Sequence, residues 1–219
     1  MKLMQRLWKL LFPPKCILCR KVLEKDETDL CRHCRIDSPE CNSSARKLPH
    51  ISKWAAVWYY EGTVRESILR FKFRGVRSYA PAYGRLMAMA LQRQEMQNFD
   101  LLTWVPTGRW RKLRRGYDQV ELLARAVGNE LGVEPVSLLK KVRNNPPQSG
   151  ITGDAQRRAN VLGVYRVRDV KVLAEKRILL LDDVITTGAT AGEAARVLLT
   201  AGAKEVYCGA VAMARRGGK

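Results

Sequence analysis

The apolar residues of the chain form short runs that alternate with segments of helical spacing. The strand-like runs are continuous and apolar, whereas the helix-like segments repeat apolar residues three and four positions apart. The predicted strands are residues 54–60, 101–105, a short one near Val136, 178–181 and 206–213. The predicted helices are residues 63–73, 79–97, 119–131 and 191–200. Strands that alternate with helices predict an α/β fold with a Rossmann-like parallel sheet.

A different pattern precedes this domain, because four cysteines are placed in two CxxC pairs with eleven residues between them. Two such pairs bring four thiolates around one tetrahedral point, which is the geometry that zinc prefers. Four protein ligands leave no open position, so the zinc is expected to be structural. The predicted ligands are Cys16, Cys19, Cys31 and Cys34.

The other two cysteines are interpreted differently. Cys41 comes too late for a CxxC pair and is interpreted as a spare thiol, with ligand exchange as the alternative. Cys208 lies in a strand-like apolar run and is interpreted as a small buried hydrophobe.

The domain organisation follows from these patterns. We predict an amino-terminal helix and a small zinc ribbon in residues 1–45, and the α/β domain in residues 53–217. The polar, irregular residues 39–52 are predicted to link them. The apolar face of residues 3–11 is expected to dock on the protein's own core rather than on a membrane.

The most informative segment is ILLLDDVITTGAT, residues 178–190. An apolar strand runs into two acids, Asp182 and Asp183, and then into a small-residue loop that opens a helix. Helix N–H groups and hydroxyls can hold a phosphate there, while the acids can bind ribose hydroxyls or a hydrated Mg²⁺. The loop residues concerned are Thr186, Thr187, Gly188, Ala189 and Thr190. The alternative is a buried strand with an ordinary turn, whose acids cap the next helix.

Two further clusters contain basic residues. The turn at residues 105–109 ends in Arg109, which can hold a diphosphate because guanidinium binds phosphate oxygens bidentately. The alternative is a solvated basic turn. Residues 144–163 are rich in proline, glycine and polar side chains, and they predict either a lid over a bound anion or a passive loop.

With the CxxC pairs, the Arg-Gly-Tyr-Asp-Gln segment 115–119, the Gln-Ser-Gly segment 148–150 and the acidic signature, the chain resembles the ComF family of ComFC and GntX type. The signature itself resembles that of type I phosphoribosyltransferases. Three positions depart from the commoner family pattern, which puts the roles of Asp118 and Gln156 in doubt. They are Tyr117 in place of Phe, Asp118 in place of Asn, and Gln156 in place of an acid.

The resemblance implies a type I phosphoribosyltransferase domain that binds 5-phosphoribosyl 1-diphosphate (PRPP) with Mg²⁺. Asp182 and Asp183 would be catalytic, the loop 186–190 would hold the 5-phosphate, and Arg109 would face the diphosphate. The resemblance also implies a link to competence and DNA uptake, with single-stranded DNA and a competence ATPase as candidate partners. Turnover does not follow from the motif, because this fold also serves for binding alone.

The charge of the chain supports an alternative function. Forty Lys and Arg residues stand against 21 acids, giving a formal net charge of +19. Such a surface attracts polyanions, and nearby aromatic side chains can stack on unpaired bases. The aromatic candidates are Phe71, Phe73, Tyr79, Trp110 and Tyr117. The alternative is therefore a non-catalytic DNA-uptake factor that binds single-stranded DNA or a protein partner.

No apolar run approaches the roughly 18 residues that a membrane-spanning helix needs. The amino-terminal residues lack a distinct apolar core with a small-residue cleavage site, so we expect no secretory signal and a cytoplasmic protein. The sequence leaves the oligomeric state and the acceptor substrate open.

Overall fold

The computed structural model describes residues 13–41, 46–108, 113, 116–143 and 160–215. The predicted amino-terminal helix lies outside these residues. The strands are β1 (Lys53–Tyr59), β2 (Leu101–Trp104), β3 (Leu139–Lys141), β4 (Tyr165–Val167), β5 (Arg177–Ile185) and β6 (Glu205–Met213). The α-helices are α1 (Arg32–Asp37), α2 (Gly62–Phe73), α3 (Ala80–Arg93), α4 (Gln119–Leu131) and α5 (Ala189–Thr200).

Four of the strands form one sheet in the order β1-β6-β5-β2, and all three pairings are parallel. The α/β fold with a parallel sheet is therefore confirmed. Strand β5 is central, and its register pairs Asp182 with Ala210 of β6. Because the strands are parallel, their carboxyl ends meet at one edge, where β5 runs into the loop before α5.

The two faces of the sheet are covered by different helices. Leu179 and Leu181 of β5 pack with residues of α2, α3 and α4. Ile178 and Leu180 pack on the other side with residues of α5. This alternation follows from the period of two along a strand. It also determines the face of the sheet to which the side chain of each later β5 residue points.

Several predicted elements differ from the structure in position or length. The short strand expected near Val136 is a loop, in which Val136 donates its N–H to the Leu102 carbonyl at 2.8 Å. The strand begins three residues later at Leu139 and pairs antiparallel with β4. Pro135 explains the shift, because its missing N–H and fixed φ disfavour regular pairing at that point. The predicted helix over residues 79–97 is also shorter and ends at Arg93.

The cysteine-rich segment packs directly on α2 and α3. Ser67 and Arg70 of α2 donate to the carbonyl of Ile17, and Arg70 also donates to that of Leu18. Arg85 of α3 forms a two-pronged ion pair with Asp29, at 2.6 and 2.8 Å. The buried residues Cys16, Ile17, Leu18 and Leu30 belong to the same apolar core as α2 and α3.

The predicted linker also makes defined contacts in the residues that the structure describes. Cys41 donates its N–H to Val57 of β1 at 3.1 Å and lies in a buried cluster with Leu48 and Cys208. Arg46 donates to the carbonyls of Thr186 and Ala214, at 2.6 and 3.2 Å. The segment is irregular, as predicted, but it is packed against the carboxyl edge of the sheet.

Candidate functional site

The two acids of the signature lie inside β5, which continues to Ile185 beyond the strand predicted for residues 178–181. Adjacent residues of a strand point to opposite faces. Asp183 therefore points to the same side of the sheet as Leu181, which is the side covered by α2 and α4. Asp182 points to the same side as Leu180. Both are nearly buried, with 8% of Asp182 and 6% of Asp183 exposed. Neither acid caps helix α5, which starts at the end of the loop.

Asp183 is held by two side chains from the helices on its face. Lys72, near the end of α2, places Nζ 2.8 Å from Oδ1 of Asp183. Gln119, the first residue of α4, donates from Nε2 to Oδ2 at 3.1 Å. Gln119 belongs to the family segment 115–119, but the sequence indicated no function for it. Lys72 was not among the predicted site residues. In the sequence Lys72 lies among the basic residues of the stretch 65–77, a pattern that a solvated helix end also shows.

Asp118 connects the turn after β2 to helix α4. Its carboxylate accepts from the N–H of Val120 and Glu121 as a helix N-cap. It also accepts from the N–H and hydroxyl of Thr107, at 2.9 and 3.0 Å. The aspartate that departs from the family pattern therefore has a structural role, which fixes α4 and with it Gln119.

Burial and the neighbouring Asp183 carboxylate raise the pKa of Asp182 to about 8. The Oδ1 atom of Asp182 accepts the backbone N–H of Asp183 at 2.8 Å. The raised pKa favours the protonated form of Asp182 near neutral pH.

The loop that follows β5 leads into a helix, as its sequence predicts. Gly188 is the N-cap of α5 and adopts a left-handed conformation with φ of 84°. The hydroxyl of Thr187 accepts from the N–H of Ala189 at 3.3 Å. The first N–H groups of a helix lack partners in the helix itself, so this end of α5 can bind an anion. Leu48 packs beneath the loop, 2.7 Å from where a Cβ on Gly188 would lie.

Several predicted site residues cannot be placed. The residues outside the described part of the chain are Arg109, Trp110 and 144–159 of the predicted lid. The described end of the segment 144–163 is anchored, because Gly163 donates its N–H to Glu193 of α5 at 2.8 Å. Glu193 also pairs with Arg196 at 2.8 Å.

The four cysteines of the CxxC pairs form one cluster. Their sulfur atoms all lie within 4.8 Å of one another, and Cys19 and Cys31 are 3.6 Å apart. Tetrahedral zinc with bonds of about 2.3 Å spaces its sulfur ligands by about 3.8 Å. Cys16, Cys31 and Cys34 are buried, while Cys19 is exposed. The geometry fits a structural zinc ion with four thiolate ligands.

The described aromatic residues that were predicted to stack on bases differ in their exposure to solvent. Phe71 and Tyr117 are buried, so these two do not form an exposed stacking surface. Tyr117 donates its hydroxyl to the Phe71 carbonyl at 2.6 Å, while the Arg77 guanidinium lies over its ring. Tyr79 is half-buried, and Phe73 is 64% exposed.

Among the described residues, no helix is both long and apolar enough to cross a membrane.

Two family models match the chain. The phosphoribosyl transferase domain matches residues 113–219, and the double zinc ribbon domain matches residues 7–53. These matches confirm the type I phosphoribosyltransferase kind of fold with an amino-terminal zinc ribbon. The ribbon match and the cysteine cluster together support a structural zinc ion.

The chain is similar to three named relatives along most of its length. It is 25% identical to competence protein F of Haemophilus influenzae, covering 91% of this chain and 90% of the relative. It is 26% identical to competence protein ComFC of Streptococcus pneumoniae, and the match covers 88% of this chain and 96% of the relative. It is also 26% identical to the DNA utilization protein YhgH of Escherichia coli K12, covering 88% of each.

Among solved structures, the chain is similar to the allosteric regulatory enzyme of purine biosynthesis, with 23% identity and a TM-score of 0.43. The likeness covers 62% of this chain and 26% of that enzyme, so the chain spans about a quarter of the enzyme's length. The glutamine PRPP amidotransferase of B. subtilis gives a TM-score of 0.42 with the same identity.

Proposed function

Because the chain belongs to the ComF family, we propose that its phosphoribosyltransferase-type domain binds PRPP or a related phosphoribosyl ligand with Mg²⁺. The proposal places this binding in competence and DNA uptake. It is supported by relatives that are named competence proteins and a DNA utilization protein. Whether the ligand is turned over is left open, since the fold supports both binding and transfer.

The observation that supports the proposal best is the carboxyl end of β5. A buried strand carries Asp182 and Asp183 and passes within three residues into a left-handed Gly188 at the start of a helix. Hydroxyl-bearing Thr186, Thr187 and Thr190 surround that glycine. Carboxylates that accept hydrogen bonds from vicinal hydroxyls, next to a helix end that binds phosphate, match a ribose 5-phosphate.

On this proposal the residues have separate tasks. The loop 186–190 holds the 5-phosphate by backbone N–H groups and hydroxyls, aided by the dipole of α5. Asp182 and Asp183 accept hydrogen bonds from the ribose and stabilise positive charge that develops on the sugar if transfer occurs. Arg109 is proposed to face the diphosphate. Mg²⁺, when bound, would neutralise that diphosphate.

The test is calorimetric titration of PRPP in the presence of Mg²⁺. We expect micromolar binding by the wild type and at least a tenfold loss in Asp183→Asn, because the amide removes the charge and one acceptor. Asp169→Asn is the matched control, since Asp169 is exposed and precedes the amino end of β5, whereas Asp183 lies near its carboxyl end. Absence of binding by the folded wild type would contradict the proposal.

A second candidate function is binding of single-stranded DNA. The net charge of +19 and the exposed Phe73, which lies between Lys72 and Arg74, favour it. Fluorescence anisotropy of a labelled oligothymidine would show affinity that falls steeply with salt and weakens in Phe73→Ala. The same affinity in Asp183→Asn would separate this function from the phosphoribosyl site.

The remaining assignments are also proposals. We place the protein in the cytoplasm, where cysteines stay reduced and available to zinc. A competence ATPase is the proposed protein partner. The division into residues 1–45 and 53–217 stays a prediction about the domains.

A further inference from the structure

The contact between Lys72 and Asp183 is a charged pair inside the proposed site. The Lys72 side chain is 18% exposed and that of Asp183 is 9% exposed. Surface ion pairs between mobile side chains contribute little to stability, but a pair with so little solvent is different. The Asp183 carboxylate needs a cationic partner, because an unpaired carboxylate at this depth would cost free energy.

The backbone that carries Lys72 is fixed from two sides. Arg70, two residues earlier, donates to carbonyls of the first CxxC turn. The Phe71 carbonyl accepts from the Tyr117 hydroxyl at 2.6 Å. The end of α2 is therefore held in place, while the four-carbon side chain of Lys72 can still change its rotamer. A flexible cation on a rigid base can exchange one anionic partner for another.

Charge gives a reason for such an exchange. A phosphoribosyl diphosphate brings several negative charges to an edge that already carries Asp183. Without a cation from the protein, the carboxylate and the diphosphate would repel each other at short range. Gln119 can keep its hydrogen bond to Asp183 while the ammonium leaves, so Asp183 retains one partner.

We infer that Lys72 is a ligand-binding residue of this site, whose ammonium pairs with Asp183 in the free protein and turns to the diphosphate of the bound ligand. This inference rests on the proposed function and deepens it. It assigns to helix α2 a part in a site that the signature alone places on β5 and the following loop.

The experiment compares wild type, Lys72→Met and Lys72→Arg by calorimetry with three probes. The probes are PRPP, inorganic diphosphate and ribose 5-phosphate, each with Mg²⁺. Lys204→Met is the matched control, because it removes the same charge from an exposed residue just before β6, at the opposite edge of the sheet. Thermal unfolding verifies that each variant is folded.

We expect Lys72→Met to weaken PRPP and diphosphate at least tenfold and ribose 5-phosphate less than threefold. Lys72→Arg should stay within about threefold of wild type for all three probes, and Lys204→Met within twofold. A merely structural ion pair would instead lower stability and weaken the three probes alike, which would overturn the inference. Unchanged binding of PRPP and diphosphate by Lys72→Met would also overturn it.

The proposed function and the role of Lys72 can fail separately in this experiment. If wild type binds PRPP but Lys72→Met binds it equally well, the function stands and the role of Lys72 falls. If wild type binds diphosphate through Lys72 but does not bind PRPP, the role of Lys72 stands and the phosphoribosyl function falls. Binding of neither probe by wild type would overturn both.

Discussion

Gly188 shows how one residue can fix the shape of the loop between β5 and α5. Its φ of 84° is unfavourable for any residue with a side chain, and a Cβ would approach Leu48. We expect Gly188→Ala to lower the free energy of unfolding by about 1–2 kcal/mol. Urea denaturation measures this change.

Gly188→Asn separates the two causes. Both substitutions add the same Cβ next to Leu48, but asparagine tolerates the left-handed region better than alanine. The asparagine variant should therefore be the more stable of the two. Equal loss in both variants would show that contact with Leu48, rather than backbone strain, sets the cost.

Asp182 is expected to make stability depend on pH. Its pKa is raised from 3.8 to about 8, so the folded state binds more protons than the unfolded state between these values. This contribution to stability is complete below about pH 4 and is lost as the pH rises towards 8. Asp182→Asn should remove that dependence, while its Oδ1 can still accept from Asp183.

The measurement is urea denaturation of both proteins at pH 5.5, 7 and 8.5. The variant should gain stability relative to wild type as the pH rises, by a few kcal/mol across the range. Titrating groups that do not interact with Asp182 act alike in both proteins and cancel in the difference. Parallel pH profiles would show that Asp182 has an ordinary pKa.

At the scale of elements, helices α3 and α4 approach closely at Gly84. A Cβ at this position would lie 2.7 Å from the carbonyl carbon and Cβ of Ala126. We expect Gly84→Ala to destabilise the protein by about 1–3 kcal/mol, because the backbone of α4 has to move. This outweighs the gain of about 1 kcal/mol in helix propensity.

Met89→Ala is the control for Gly84→Ala, since Met89 is an exposed residue of the same helix. It should change the free energy of unfolding, measured in urea, by less than about 0.5 kcal/mol. Stabilisation by Gly84→Ala would mean that the helices are less closely packed at this point.

Local patterns predicted most of these elements but not how they meet. Helix α4 has the predicted bounds 119–131, because an amphipathic run is bounded by Asp118 and a left-handed Gly132. The β3–β4 pair was not predicted, since each strand has three residues and no clear period. Strand β5 is longer than predicted, because two adjacent acids suggest the end of a strand, whereas pairing with β6 continues to Ile185.

The same limit applies to the candidate site. Asp182, Asp183 and the glycine loop are contiguous in sequence, so their spacing could be recognised. Lys72 and Gln119 come from helices that are 111 and 64 residues away from Asp183 and approach it only after folding. Their contacts depend on tertiary packing, which a local pattern does not encode.

For the whole molecule, the zinc ribbon is part of the main core. Cys16, Ile17 and Leu30 pack in the same cluster as α2 and α3, and Asp29 pairs with Arg85. We therefore expect removal of zinc by a chelator to lower the melting temperature of the whole protein in one transition, by about 5 °C or more.

Scanning calorimetry with and without chelator measures this effect, and added zinc should restore the original transition. A ribbon that folds independently would melt separately and leave the main transition unchanged. That result would contradict a shared core.

The packed segment that includes Arg46 and Leu48 has a consequence for how such proteins can evolve. Arg46 binds the carbonyl of Thr186, and Leu48 supports Gly188 from below. The region between the ribbon and the transferase-type domain thus supports the loop between β5 and α5 from below. A recombination event that joined a foreign ribbon at residue 53 would remove that support. The ribbon, its connection and the loop are therefore expected to be inherited together as one unit.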